Sequence, residues 1–326
     1  MARIALDAMG GDRAPQQMVL GALDAIERGV DVVLVGDEST LEAELEAAGG
    51  ILPIVHAPEV IDMAEDPATA IRVKKRASVT VASELVASGE AGGMVSAGST
   101  GAALAAAVFM IGRIVGVSRP AIATIFPLGS PTVVLDVGAN IDVKPEHLAQ
   151  FAVMGSVVAQ VYLNIPNPRI GLLNVGEEET KGRVLEKDAL KLISRLPLRF
   201  VGNVEGRDLG SDVTDVVVTG GFVGNVLLKT AEGTARVVGR FVLEALTSVE
   251  DPEIQAAARV VLPYLLELRK KFDPEAYGGA HLVGTKGTVV IAHGSSSRVA
   301  VANALALASE GVERDLVGRI EAGLGG

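Results

Sequence analysis

Ten short apolar runs, at about 3–7, 32–35, 51–55, 92–95, 121–126, 132–136, 169–174, 199–203, 215–218 and 288–292, carry Val, Ile and Leu with little polar alternation. Strands buried on both faces read this way. Between them, over 15–28, 68–89, 99–112, 145–161, 224–249 and 295–309, apolar residues recur every three to four positions, as on one face of a helix. The alternation predicts an α/β fold: a doubly wound, mostly parallel sheet with helices on both faces. No Pro/Ser-rich linker, low-complexity tract or internal repeat divides the chain, so 1–326 reads as a single domain. Pro127–Pro131 is the densest turn cluster, and it lies between two adjacent strands. One stretch departs from the pattern. Residues 254–272 are apolar at 256–258, 260–262, 264–266 and 268, too densely for a solvated surface. Pro263 predicts two short helical pieces meeting at a bend there. The span 241–280 therefore reads as a protruding helical element that buries Val261, Leu262, Tyr264, Leu265 and Leu266 against a second subunit or lipid. Arg269, Lys270 and Lys271 follow at once and suit anionic head groups.

The polar punctuation is as regular as the apolar runs. Strand-like segments open into glycine and small polar residues at 3–12, 93–104, 133–140, 170–182, 216–229 and 288–297. In a doubly wound sheet such turns lie at the carboxyl ends of the strands, where ligands bind. Glycine lets a ligand approach backbone N–H groups, and a helix N-terminus adds positive partial charge. Ordinary tight turns also use glycine, but six of them converging on one crevice point to an anion site, and phosphate is the expected ligand. The turns contain no G-x-G-x-x-G and no Gly-Lys pair, which argues against dinucleotides and nucleoside triphosphates. The stretch at 97–101 approaches a nucleophile elbow but begins with Ala. His56, His147, His281 and His293 are scattered without metal-ligand spacing. His293 precedes Ser295, Ser296 and Ser297, which admits a Ser–His pair or, more simply, capping of the helix at 295–309.

Composition narrows the ligand further. Hydrophobic residues make up 49% of the 326, ample for a large core, but aromatics only 3%, with no Trp. Few aromatic platforms and a net charge of −11 argue against nucleic acid. The absence of Cys removes disulfides, thiolate metal sites and a Cys nucleophile, and suits a reducing cytoplasm. The N-terminus enters a strand with no signal-like core. The longest apolar run, Ala102–Ile111, has ten residues, against roughly 20 for a membrane span.

The motifs ALDAMGGD, SAGSTGA, DVGAN, PEHLAQFAVMGSV, NPRIGLLNVGEEETKG, GNVEGRD, GFVGNVLLKTAEG and AHGSS occur in the order seen in the bacterial phosphate acyltransferase family (PlsX), which the chain resembles over essentially its whole length. The resemblance implies a reaction. Inorganic phosphate attacks the thioester of a fatty acyl chain on acyl carrier protein, giving acyl phosphate for phospholipid synthesis. It implies a fold similar to phosphotransacetylases and isopropylmalate-type dehydrogenases, no cofactor, a homodimer, and peripheral membrane attachment of a cytoplasmic enzyme. Two positions depart from the family pattern: Ser99 stands where Asn is usual, and Gly220 where Asp is usual. Ser99 can still cap a helix, whereas no role of the missing Asp carries over.

Phosphate is already a nucleophile near neutral pH, so the site need only hold it near the thioester carbon, stabilise the oxyanion and exclude water. Lys181, just past a strand end, is the candidate cation. Asn225 is the candidate amide donor, or else a plain helix cap. The turn residues expected to bind phosphate or substrate are Asp7, Gly10, Gly11, Ser96, Gly98, Ser99, Thr100, Gly101, Asp136, Gly138, Asn140, Gly221, Gly224, His293 and Ser295. Carrier proteins are acidic, as is this chain, so docking needs a local basic patch. Arg72, Lys74, Lys75 and Arg76 form the densest run, followed by Arg113 and Arg119. An acyl-CoA enzyme of the phosphotransacetylase kind and a non-catalytic membrane-docked scaffold are the alternative readings.

Overall fold

The computed structural model describes residues 2–126, 129–248, 252–271 and 277–325. Each of the ten apolar runs forms a strand: β1 (Ile4–Asp7), β2 (Val32–Gly36), β3 (Ile54–His56), β4 (Gly93–Ser96), β5 (Ala121–Phe126), β6 (Thr132–Leu135), β7 (Arg169–Leu173), β8 (Arg199–Val204), β9 (Val216–Val218) and, after one further strand β10 (Ala280–Val283), β11 (Thr288–Ile291). They make one 11-stranded sheet in the order β3-β2-β1-β4-β11-β10-β5-β6-β9-β7-β8. Strands β3, β2, β1, β4 and β11 are parallel to one another, and so are β6, β9, β7 and β8. Between the two sets, β11–β10, β10–β5 and β5–β6 pair antiparallel. The sheet is thus mostly parallel, but its two parallel sets point in opposite directions.

The helices are α1 (Gln16–Glu27), α2 (Glu38–Ala48), α3 (Pro67–Val73), α4 (Ser78–Ser88), α5 (Thr100–Ala106, widening to a π turn over Ala107–Ile111), α6 (Pro145–Tyr162), α7 (Val184–Ile193), α8 (Gly221–Thr247), α9 (Pro252–Lys271), α10 (Arg298–Glu313) and α11 (Leu316–Leu324). Three buried clusters of Val, Ile, Leu and Ala lie between them and the sheet. Two predicted outlines need correction. The helix expected over 68–89 is two helices. Lys74 leaves the helical region, and its ammonium is tied to Glu65 (2.5 Å) and the Val60 carbonyl (2.8 Å), while Ala77 is extended. The bend expected at Pro263 does not divide α9, which continues through the proline. A proline there removes one backbone bond, to the Arg259 carbonyl, and exposed Arg259 leaves that carbonyl near water.

α8 and α9 pack on each other, and α8 also meets β6. Val261, Tyr264 and Leu266 are exposed, Tyr264 by 75%, while Leu262 and Leu265 are half-buried. Pro127 and Leu128, the connection at 249–251, residues 272–276 and the side chains of Arg269, Lys270 and Lys271 lie outside the described set. No described helix is long and apolar enough to cross a membrane.

His281, on β10, has both ring nitrogens buried without a hydrogen-bond partner among the described residues and stacks on Tyr162 at 4.6 Å. Burial lowers its pKa to about 3. The unfolded chain, with a value near 6.5, therefore binds the extra proton between these limits. This contribution to stability is complete above about pH 6.5 and is lost as pH falls toward 3, at about 1 kcal/mol per pH unit. His281→Leu should flatten the dependence of unfolding free energy on pH between 4 and 6 by that slope. Equal slopes in urea titrations of the two proteins would refute the assignment.

Candidate active site

A groove of about 700 Å³ lies between α8 and the face of the central strands. Its floor is Ile122, Thr124 and Phe126 of β5 with Ile291 of β11, and Asn225, Leu228, Lys229, Ala231, Glu232, Ala235 and Arg236 line it from α8. The sheet register gives the groove two ends. Val137 donates its N–H to the Ile122 carbonyl (3.0 Å), which sets Gly138 beside the start of β5. Through β10, Ile291 comes level with Thr124, so Gly98, Thr100, His293 and Ser295 lie toward the Phe126 end. The expected single crevice of six turns is therefore a groove with a cluster of turns at each end. The reason is the reversal of direction across β10 and β5.

At the first end, Asp136 organises the turn. Its fully buried carboxylate accepts bonds from the backbone N–H groups of Ile122, Gly138, Ala139 and Asn140 and from Asn140 Nδ2, all within 2.7–3.1 Å. Asn140 Nδ2 also donates to the Pro120 carbonyl (2.7 Å). Asp136 and Asn140 are thus structural supports under Gly138 and are not exposed to the groove. Gly221 and Gly224 serve the same junction. A Cβ at 221 would sit 2.6 Å from the Asn140 carbonyl oxygen, and one at 224 would strike the Asp136 carbonyl oxygen. This close approach draws the first turn of α8 into the sequence that resembled a loop. The helix begins at Gly221 with Gly220 as its cap, so Asn225 sits in the second turn and is not a cap. Its amide is exposed, has no hydrogen-bond partner among the described residues, and faces Gly138 across the groove.

At the other end, Gly98, Thr100, His293 and Ser295 line the groove, and the remaining residues stand behind them. Asp7, Gly10, Ser96, Gly98 and Ser99 enclose a cavity of about 10 Å³, the size of one water site. Ser96 Oγ donates to Asp7 Oδ2 (2.6 Å), while Asp7 Oδ1 has no hydrogen-bond partner among the described residues. Burial raises the Asp7 carboxyl above the usual carboxylate range, against the Ser78 and Ser96 hydroxyls, which lower it. Gly10 packs on Asp7 and the Gly98 nitrogen, Gly11 on the Ala97 and Gly294 carbonyls, and Gly101 on Pro67. Ser99 caps α5 through the Ala102 N–H (3.5 Å), as expected of the hydroxyl in that position. His293 Nδ1 and Ser295 Oγ are 3.1 Å apart, so these neighbours do face each other, and Ser297 rather than Ser295 caps α10.

Lys181 does not line the groove. It lies on the β7 turn, one strand beyond the β9 turn that leads to Asn225, with its side chain 48% exposed and its ammonium 4.0 Å from Glu178. The basic run is split by the α3–α4 break. Lys74 is held by Glu65, Arg72 stacks over Phe109 (5.3 Å), and Lys75 and Arg76 are exposed. Arg113 donates to the Ser118 carbonyl. The groove residues missed in the sequence are those of its floor and wall. Apolar periodicity marks Ile122, Phe126 and Leu228 only as core, whereas the polar stripe Asn225, Lys229, Glu232 and Arg236, at helical spacing, carried a usable signal.

The order of strands, the central reversal and the groove across it define an α/β fold of the phosphotransacetylase type. Solved structures with this fold include a phosphotransacetylase from Streptococcus pyogenes, 17% identical with a TM-score of 0.63, covering 96% of this chain and 94% of that one. Another is a branched-chain phosphotransacylase from Enterococcus faecalis, 19% identical with a TM-score of 0.56 over 96% and 99%. A 4-hydroxythreonine-4-phosphate dehydrogenase from Klebsiella pneumoniae shares it too, 14% identical with a TM-score of 0.56 over 95% and 99%. In sequence, a family model described as "Fatty acid synthesis protein" matches residues 2–319. Proteins named phosphate acyltransferase are similar throughout: that of Desulforamulus reducens is 49% identical over 99% of this chain and 98% of the relative, and that of Bacillus subtilis 44% over 98% and 97%. The chain belongs to this fatty acid synthesis family, the bacterial phosphate acyltransferases.

Proposed function

We propose that the protein transfers a fatty acyl group from the thioester of acyl carrier protein to inorganic phosphate. A phosphate oxygen attacks the thioester carbon, the C–O bond forms, the C–S bond breaks, and acyl phosphate leaves with free carrier thiol. The Asn225 amide facing Gly138 at the end of the groove carries this reading, because it makes no hydrogen bond among the described residues and can donate to a developing oxyanion without breaking one. Lys181 supplies the balancing cation. Its long contact with Glu178 is weak and exchangeable, and its turn adjoins the one leading to Asn225. The names of the relatives support phosphate as acceptor. The donor is tested by comparing acyl carrier protein with acyl-CoA. A preference for the carrier of at least tenfold in kcat/KM is expected, and a preference for CoA would favour a phosphotransacetylase-like enzyme.

Carrier docking is assigned to Arg72, Lys75 and Arg76. Lys75→Glu with Arg76→Glu should raise KM for acyl carrier protein by about tenfold, weaken its salt dependence, and leave KM for phosphate unchanged. Equal changes in both constants would mean a structural role. Lys74 is excluded from this test because its ion pair belongs to the fold.

The α8–α9 pair carries too much exposed apolar surface to remain uncovered. We assign the α9 side to a membrane surface, bringing a cytoplasmic enzyme to where its acyl phosphate is used, and a homodimer to the assembly. Val261→Glu with Tyr264→Glu is the better test than the half-buried Leu265. It should abolish flotation with anionic vesicles while leaving subunit association and turnover intact. If it separates subunits instead, the face belongs to the dimer.

A further inference from the structure

The groove has polar turns at both ends; between them it is lined by Ile291, Leu228, Ala231 and Ala235 together with Thr124 and the mutually paired Lys229 and Glu232, and its length has two rulers. Asn225 to Arg236 is 11 residues of helix, about 16 Å at 1.5 Å per residue. Ile122 to Phe126 on the opposite wall is four strand steps, about 13 Å. Arg236 is exposed and has no ion pair or hydrogen bond among the described residues, whereas Lys229, nearer Asn225, is paired with Glu232 at 3.0 Å. At the Arg236 end, His293 and Ser295 add polar groups to the lining. A hydrocarbon tail laid along the groove would put its methyl end against these polar turns. The thioester of a carrier protein has a different outline. Its prosthetic arm carries a phosphodiester at one end, a neutral middle with two amides and a gem-dimethyl group, and the reacting sulfur at the other. About thirteen single bonds of roughly 1.5 Å separate phosphorus from sulfur, a zigzag of about 16 Å.

Building on the proposed reaction, we infer that the groove receives the phosphopantetheine arm of the carrier, with Arg236 binding its phosphodiester and the thioester lying beside Asn225. Guanidinium recognises phosphate oxygens through paired N–H donors. Thr124, half-buried with its hydroxyl unbonded among the described residues, faces the middle of the arm, where an amide needs a partner. The assignment also agrees with the docking side. Pro67, which starts α3, packs on Gly101 beside the groove residue Thr100, so Arg72, Lys75 and Arg76 follow on from this end of the groove.

The test uses three donors with phosphate as acceptor: acyl carrier protein, acyl-phosphopantetheine and acyl-pantetheine, which lacks the phosphate. The wild-type protein should prefer acyl-phosphopantetheine to acyl-pantetheine by at least tenfold in kcat/KM. Arg236→Gln should erase that preference, losing at least tenfold with the phosphorylated donor while keeping its rate with acyl-pantetheine within about twofold. The unphosphorylated donor thus reports directly on whether the variant is folded. Thr124→Val should slow all three donors about equally. An unchanged donor ratio in Arg236→Gln, with acyl carrier protein still turned over, overturns the inference alone. No turnover of any donor by the wild-type protein overturns the proposed reaction and this inference with it.

Discussion

Asn225→Ala is expected to lower turnover by about 10²–10³-fold, the range for removing one oxyanion donor, with little change in stability. The side chain makes no hydrogen bond among the described residues, is not the cap of α8, and is exposed toward Gly138, so the fold does not depend on it. The loss should fall on kcat rather than on KM for the acyl donor, because an oxyanion forms only in the transition state. Asn225→Asp should be at least as damaging, since it places a carboxylate where negative charge develops. Lys181→Ala is expected to act differently, raising KM for phosphate. A near-normal rate in Asn225→Ala would remove the chemistry from this end of the groove.

The second large effect is on the junction that aims Asn225. In Gly224→Ala the added methyl meets the Asp136 carbonyl oxygen, which is backbone and cannot swing aside, and Thr219 Cγ2 at 3.0 Å. The start of α8 must move away from the β6 turn. A cost of about 3 kcal/mol in equilibrium unfolding is expected, together with loss of turnover as Asn225 leaves Gly138. Gly233, in the same helix, provides the contrast. A Cβ there meets nothing within 4 Å, so Gly233→Ala should stabilise by about 0.5–1 kcal/mol through helix propensity. If the two substitutions behave alike, the packing at Gly224 is not what sets the helix.

Most of the sheet was legible because its strands are buried on both faces and need continuous Val, Ile and Leu. β10 escaped because it is four residues long, contains His281, and lies between Gly279 and Gly284. α2 escaped because only Leu41 and Leu45 are buried in a helix otherwise polar. The turns of the site were legible through glycine, but their grouping was not. Which turns meet depends on the antiparallel passage through β10 and β5, a long-range pairing that local periodicity does not encode. The start of α8, at Gly221 rather than near 224, is hidden in the sequence for a related reason. Gly221-Phe222-Val223-Gly224 reads as a loop until the supporting Asp136 and Asn140 show why glycine is required inside a helix.

Incubation of the purified protein with a long-chain acyl carrier protein, with and without inorganic phosphate, tests the proposed reaction most directly. Free carrier thiol and the acyl phosphate signal in phosphorus NMR should appear together, one for one, and neither should appear without phosphate. Thiol released at the same rate in the absence of phosphate, with no acyl phosphate formed, would mean that water is the acceptor and would contradict the account.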